Sequence, residues 1–165
     1  MKLLPLLPLS VLLWVAITLG ADDSSRVIKK ALFPGSQKIV VVAEGDFEPR
    51  SVGSYSLRVY AGTDARFPYD KFIVGIVRPR DGTVEDVRLS DLDYDGVLDI
   101  VVILRSVGTG SYLSADGFRL RGTILRLLGS VSGLAKDADP VRALEAKFRI
   151  RPKSPGAPNG TKSSR

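Results

Sequence analysis

Apolar and polar residues alternate along most of the middle of the chain in short runs, broken about every ten positions by turn residues. The runs are Lys38 to Ala43, Ser54 to Tyr60, Lys71 to Val77, Val84 to Leu89, Asp99 to Leu104 and Phe118 to Leu128. In the second, Tyr55, Leu57 and Val59 fall on one face and Ser54, Ser56, Arg58 and Tyr60 on the other, the period of a half-buried strand. Val101 to Leu104 is apolar throughout, which marks a core strand. Pro79-Arg80-Asp81-Gly82 separates two runs and predicts a hairpin turn. Only Asp139 to Phe148 has helical spacing, with Asp139 as cap, Pro140 in the first turn, and Val141, Leu144 and Phe148 on one face. Regular strands with short connections predict an all-β antiparallel sandwich or barrel with one late helix.

The ends differ from this body. Residues 1–21 hold Lys2, an apolar run from Leu3 to Leu19 and then Gly20 and Ala21, the pattern of a cleaved secretory signal. The run is short of the roughly 20 residues of a spanning helix and contains Pro5 and Pro8. The mature protein is expected outside the cytoplasm, periplasmic or secreted, with no membrane attachment after cleavage. Residues 22–36 read as a lead segment, 37–149 as the folded domain, and 150–165, rich in Pro, Gly, Ser and Lys, as a disordered basic tail.

Charge and composition narrow the function. The net charge of +6 is accounted for by Lys2, Arg149, Arg151, Lys153, Lys162 and Arg165, so the body is electrically balanced and offers no basic face to nucleic acid. The chain has no Cys and no His, which excludes Ser-His-Asp and Cys-His nucleophile systems and thiolate or imidazole zinc sites. Asp91, Asp93, Asp95, Gly96 and Asp99 follow the spacing of a calcium loop, with the Val97 carbonyl as a further oxygen. Position 12 of that loop is Val102 rather than Glu, so an EF-hand is not expected. An Asp-rich hairpin turn held by side-chain to backbone hydrogen bonds is the favoured reading, with a calcium-dependent binding or adhesion module as the alternative and no cofactor otherwise. A glycan-active enzyme with paired Asp residues is the weakest reading, because no second carboxylate is evidently placed across a groove.

After the core strand comes Arg105-Ser106-Val107-Gly108-Thr109-Gly110-Ser111-Tyr112. Gly108 and Gly110 can take positive φ, which lets a narrow loop push the hydroxyls of Thr109, Ser111 and Tyr112 outward, with Ser106 and Gly108 as its support. Arg50 to Ser56 (RSVGSYS) echoes this motif and makes Ser51, Ser54 and Tyr55 a second candidate tip. Asp116, Arg119 and Arg121 are candidate rim contacts.

The stretch DLDYDGVLDIVVILRSVGTGSYLSADGF, together with RSVGSYSLRVYAG and FPYDKFIVGIVRPRDGTVEDVRLSDLD, resembles the periplasmic protein inhibitors of invertebrate-type lysozyme. The resemblance covers about residues 40–120. It implies an antiparallel β-sandwich, a protein partner rather than a substrate, and an inhibitory loop, Thr109-Gly110-Ser111-Tyr112, that enters the lysozyme cleft. Thr109 stands where the family has Ser, keeping the hydroxyl and adding a methyl. Open sheet edges also leave room for a homodimer.

Overall fold

The computed structural model describes residues 28–149. The signal segment, the start of the lead segment and the basic tail lie outside the described residues. Within them the chain forms two antiparallel four-stranded sheets, each a meander in sequence order. The first contains β1 (Ile28–Leu32), β2 (Ile39–Glu44), β3 (Val52–Tyr60) and β4 (Phe72–Asp81). The second contains β5 (Thr83–Ser90), β6 (Asp99–Arg105), β7 (Leu113–Arg121) and β8 (Ile124–Leu134), followed by α1 (Pro140–Arg149). The all-β class, the sandwich and the single late helix therefore agree with the sequence reading.

Three expectations are corrected. β1 pairs with β2 along its whole length, from Ile28 opposite Ala43 to Leu32 opposite Ile39, so the sandwich begins inside the stretch read as a lead segment. IKKAL is too short and too basic to announce a strand, and it gains its ladder only beside VVVA. Pro79 to Gly82 is not a hairpin either: β4 runs on to Asp81, and Gly82, at φ 94, turns the chain from one sheet into the other. A Cβ on Gly82 would lie 2.0 Å from the Arg105 carbonyl oxygen, so only glycine fits this corner. Pro79 lies in β4, a strand paired on one side only within its sheet, where a missing N–H costs no ladder bond. Finally, Phe118 to Leu128 is two strands, split by a tight turn at Gly122 (φ 59) and Thr123.

Between the sheets lies one core, with Val40, Val42, Leu57, Val59, Ile100, Val102 and Phe118 fully buried. The helix closes a second core on the outer face of the second sheet, where Leu144 meets Leu92, Val101, Ile103, Leu113 and Ala115. Consequently β6 is covered on both faces, the reason its sequence is apolar without alternation. Asp139 caps the helix, its Oδ1 accepting from the Val141 N–H at 3.0 Å and the Arg142 N–H at 3.3 Å. The helix can approach closely because Gly129 faces Phe148, where a Cβ would lie 3.3 Å from the ring.

Candidate functional site

β6 and β7 pair from Ile100 opposite Phe118 up to Arg105 opposite Leu113, and the loop from Ser106 to Tyr112 caps this ladder. Both strands are anchored in two cores, so the loop rises from a well-packed base. The Ser106 N–H donates to the Tyr112 carbonyl at 2.9 Å and the Ser111 N–H to the Gly108 carbonyl at 3.0 Å. Thr109 and Tyr112 are exposed, the latter at 56%, and Ser111 is half-buried. The left-handed residue is Ser111, at φ 44, and neither Gly108 nor Gly110 takes a positive φ, contrary to expectation. Gly110 serves another purpose. A Cβ there would lie 2.3 Å from Cε2 of Tyr112, so the phenol ring lies over a bare backbone.

Arg105, at the foot of the loop, donates from Nη1 to the Ser111 carbonyl at 3.0 Å and to the Lys136 carbonyl at 3.2 Å. Its Nε and Nη2 both donate to Glu85, the second at 2.8 Å. Bonding to Glu85 raises the Arg105 pKa further, so it is charged at every working pH. Glu85 is the bulged residue where the β5–β6 register slips between Val84 and Asp86. Nothing in sequence periodicity marks that slip, and sequence reasoning missed Glu85 as a site residue.

The second candidate tip divides. Ser51 is exposed, and its carbonyl accepts from Gly82 N–H at 2.8 Å. A Cβ on Gly82 would lie 2.6 Å from Ser106 Cα, which places both loops at one end of the sandwich. Ser54 is tied down, its N–H donating to Glu48 Oε2 and its hydroxyl to Glu48 Oε1 at 2.7 Å. These bonds hold the Glu48 carboxyl below its ordinary range. Arg80, buried beneath, donates to the carbonyls of Pro49, Arg50 and Ser54 at 2.9 to 3.0 Å. Tyr55 is no tip at all: it is fully buried and donates to Asp116 across the two sheets at 2.5 Å. Burial and the Asp116 carboxylate push its phenol far above the ordinary range, so it stays a donor. Exposed apolar side chains at this same end are Phe47, on the loop before Ser51, then Val52, Val107 and Tyr112, and only Tyr112 was singled out from the sequence.

None of the candidate rim residues borders the main loop. Asp116 is inside, accepting from Tyr55 and Ser130 and lying 3.5 Å from Arg78. Arg119 is buried among acidic groups, and Arg121 ends β7, nine residues and about 30 Å of strand from Tyr112. Sequence neighbours of a loop diverge from it along a strand, whatever their charge.

The Asp91 to Asp99 segment forms the β5–β6 turn, with Asp91, Asp93 and Asp95 oxygens within 4.8 Å of one another. Arg119 penetrates this acidic cluster. It donates to both oxygens of Asp93 at 2.7 and 3.0 Å, to Asp95 at 2.8 Å, and to both oxygens of Asp99 at 2.8 and 2.9 Å. Asp91 accepts the N–H groups of Asp95 and Gly96, and Asp95 accepts that of Val97. The guanidinium holds the Asp93 carboxyl below its ordinary value, while burial pushes that of Asp99 up. This donor set is engaged by a protein cation and by the turn's own backbone, the architecture of the hydrogen-bonded Asp turn.

Comparison with known proteins bears on the family. The family model described as periplasmic lysozyme inhibitor of I-type lysozyme matches residues 25–148. The chain belongs to this family of periplasmic I-type lysozyme inhibitors. Two solved structures are similar. One is the Aeromonas hydrophila inhibitor PliI-Ah, at 43% identity and TM-score 0.65 over 72% of this chain and 98% of that one. The other is Aeromonas hydrophila PliI in complex with Meretrix lusoria lysozyme, at 43% identity and TM-score 0.66 over 72% of this chain and 95% of that one. No curated protein matches. The family match starts before β1, in agreement with a sandwich that includes that strand. Among the described residues no helix is long and apolar enough to cross a membrane, and the family's compartment is the periplasm.

Proposed function

We propose that this inhibitor blocks an invertebrate-type lysozyme by inserting Thr109-Gly110-Ser111-Tyr112 into the active-site groove, acting as a plug with no catalysis of its own. The observation that carries the reading is an uncharged hydroxyl-bearing loop, exposed at Thr109 and Tyr112, on the hairpin of a strand buried on both faces. The similar Aeromonas hydrophila protein forms a complex with Meretrix lusoria lysozyme, which supports a lysozyme as the partner.

A lysozyme cuts sugar chains with a carboxylic acid and a carboxylate facing one another across a groove. Hydroxyls of Thr109 and Tyr112 can donate to the carboxylate and accept from the acid, and neither carries a charge that must be stripped of water. The Tyr112 ring is broad enough to occupy a sugar position at low rotamer cost. Backbone bonds across the loop reduce what binding must order.

Tyr112→Ala tests the reading. A hydrogen bond to a charged partner contributes about 1.5 to 3 kcal/mol, so the inhibition constant should rise roughly tenfold to a hundredfold. The melting temperature should stay within about a degree, because the side chain is mostly in solvent. Unchanged inhibition would move the contact surface away from this loop.

A further inference from the structure

We infer that Glu85 and Arg105 are positioning residues for inhibition: their ion pair clamps the inhibitory loop from below and sets its strength without touching the lysozyme. The inference rests on the loop reading above and adds the device that keeps the loop in one shape.

The clamp has three arms. The first is the two-pronged contact of Arg105 with Glu85, which fixes the plane of the guanidinium. The remaining nitrogen, Nη1, then points at the Ser111 carbonyl at 3.0 Å and the Lys136 carbonyl at 3.2 Å. One cation thereby joins the β5 bulge, the inhibitory loop and the segment between β8 and α1. A bulge turns a side chain out of the regular alternation, and here the turned residue is the one that holds Arg105.

The Ser111 carbonyl is the point where holding matters most. Ser111 has φ 44, a left-handed conformation that strains a residue with a Cβ, so the free loop would tend to relax there. Relaxation at Ser111 would swing the next residue, Tyr112, off its seat over Gly110. Lysine at position 105 would not substitute, because an ammonium lacks the planar fork that meets Glu85 and two carbonyls at once.

The test compares Tyr112→Ala, Glu85→Gln, Arg105→Lys and the charge swap Glu85→Arg with Arg105→Glu, each assayed for lysozyme inhibition, melting temperature and amide exchange in the loop. Glu85→Gln and Arg105→Lys should each weaken inhibition roughly three- to tenfold, the scale of reordering a side chain or two on binding. Exchange at the Ser106 and Ser111 amides should quicken. The swap restores an ion pair between β5 and β6 but leaves no donor for the Ser111 carbonyl, so its melting temperature should recover while inhibition stays weak. Inhibition that recovers along with melting temperature in the swap would reduce the pair to ordinary support and overturn the inference. Loss of inhibition in Arg105→Lys but not in Glu85→Gln would overturn it in favour of direct contact between Arg105 and the lysozyme. If Tyr112→Ala weakens inhibition while Glu85→Gln and Arg105→Lys do not, the clamp fails and the loop reading stands. If Tyr112→Ala inhibits like the parent, the loop reading itself fails and takes the clamp with it.

Discussion

At the scale of single residues, the loop assigns its conformational burdens unexpectedly. Glycine at 108 and 110 suggests left-handed backbone, yet the left-handed residue is Ser111, kept there by bonds to its N–H and its carbonyl. Gly110 is needed for proximity instead. Adding a methyl there puts a carbon 2.3 Å from the Tyr112 ring, and the ring, being exposed, can swing away. Gly110→Ala is therefore expected to weaken inhibition about as much as removing one tip contact, roughly tenfold, with little change in melting temperature. Gly108→Ala is the control, since a Cβ there meets nothing within 4 Å, and parallel inhibition and thermal melts separate the two.

At the scale of elements, alternation correctly placed Tyr55 on the inward face of β3 with Leu57 and Val59, while the motif echo proposed it as a tip. Alternation prevails, because a strand residue's side is set by the pleat and not by its resemblance to another segment. Tyr55 then becomes a cross-sheet tie to Asp116 on β7. Tyr55→Phe removes the donor and leaves a buried carboxylate short of a partner, so stability should fall by about 1 to 3 kcal/mol in chemical denaturation. Inhibition measured well below the melting temperature should be unaffected, and a loss there would return Tyr55 to the binding surface. The Asp81-Gly82 turn teaches the same lesson in reverse: its residues mark a sharp bend, but whether the next strand pairs back or crosses to another sheet is decided by what lies beside it, here the Arg105 carbonyl.

At the scale of the whole molecule, the two ends of the sandwich are fastened by arginines set among oxygens. Arg80 gathers the carbonyls of Pro49, Arg50 and Ser54 at the end that carries the Ser106 to Tyr112 loop, and Arg119 gathers Asp93, Asp95 and Asp99. Because Arg119 lowers the folded-state pKa of Asp93, ionised Asp93 stabilises the fold above the unfolded value of 3.8, and the contribution disappears as pH falls through and below it. Asp93→Asn should thus melt below the parent at pH 7, with the gap closing as the pH is lowered from about 5 to 3. A gap that widens on acidification would reverse the sign assigned to this contact. The acidic run with calcium-like spacing thus receives a countercharge from β7, twenty residues after Asp99.

The chain's own pattern determined most of the strands, the capped helix, the buried β6 and the motif after it, because side-chain periodicity and turn chemistry are properties of neighbouring residues. The order of strands within the sheets, β1 as a strand, the bulge at Glu85, and which hydroxyls face solvent were decided only by the tertiary structure. Each of these depends on groups far apart in sequence, Tyr55 with Asp116, Glu85 with Arg105, Gly82 with Ser106, whose meeting is set by how two sheets stack and where a register slips.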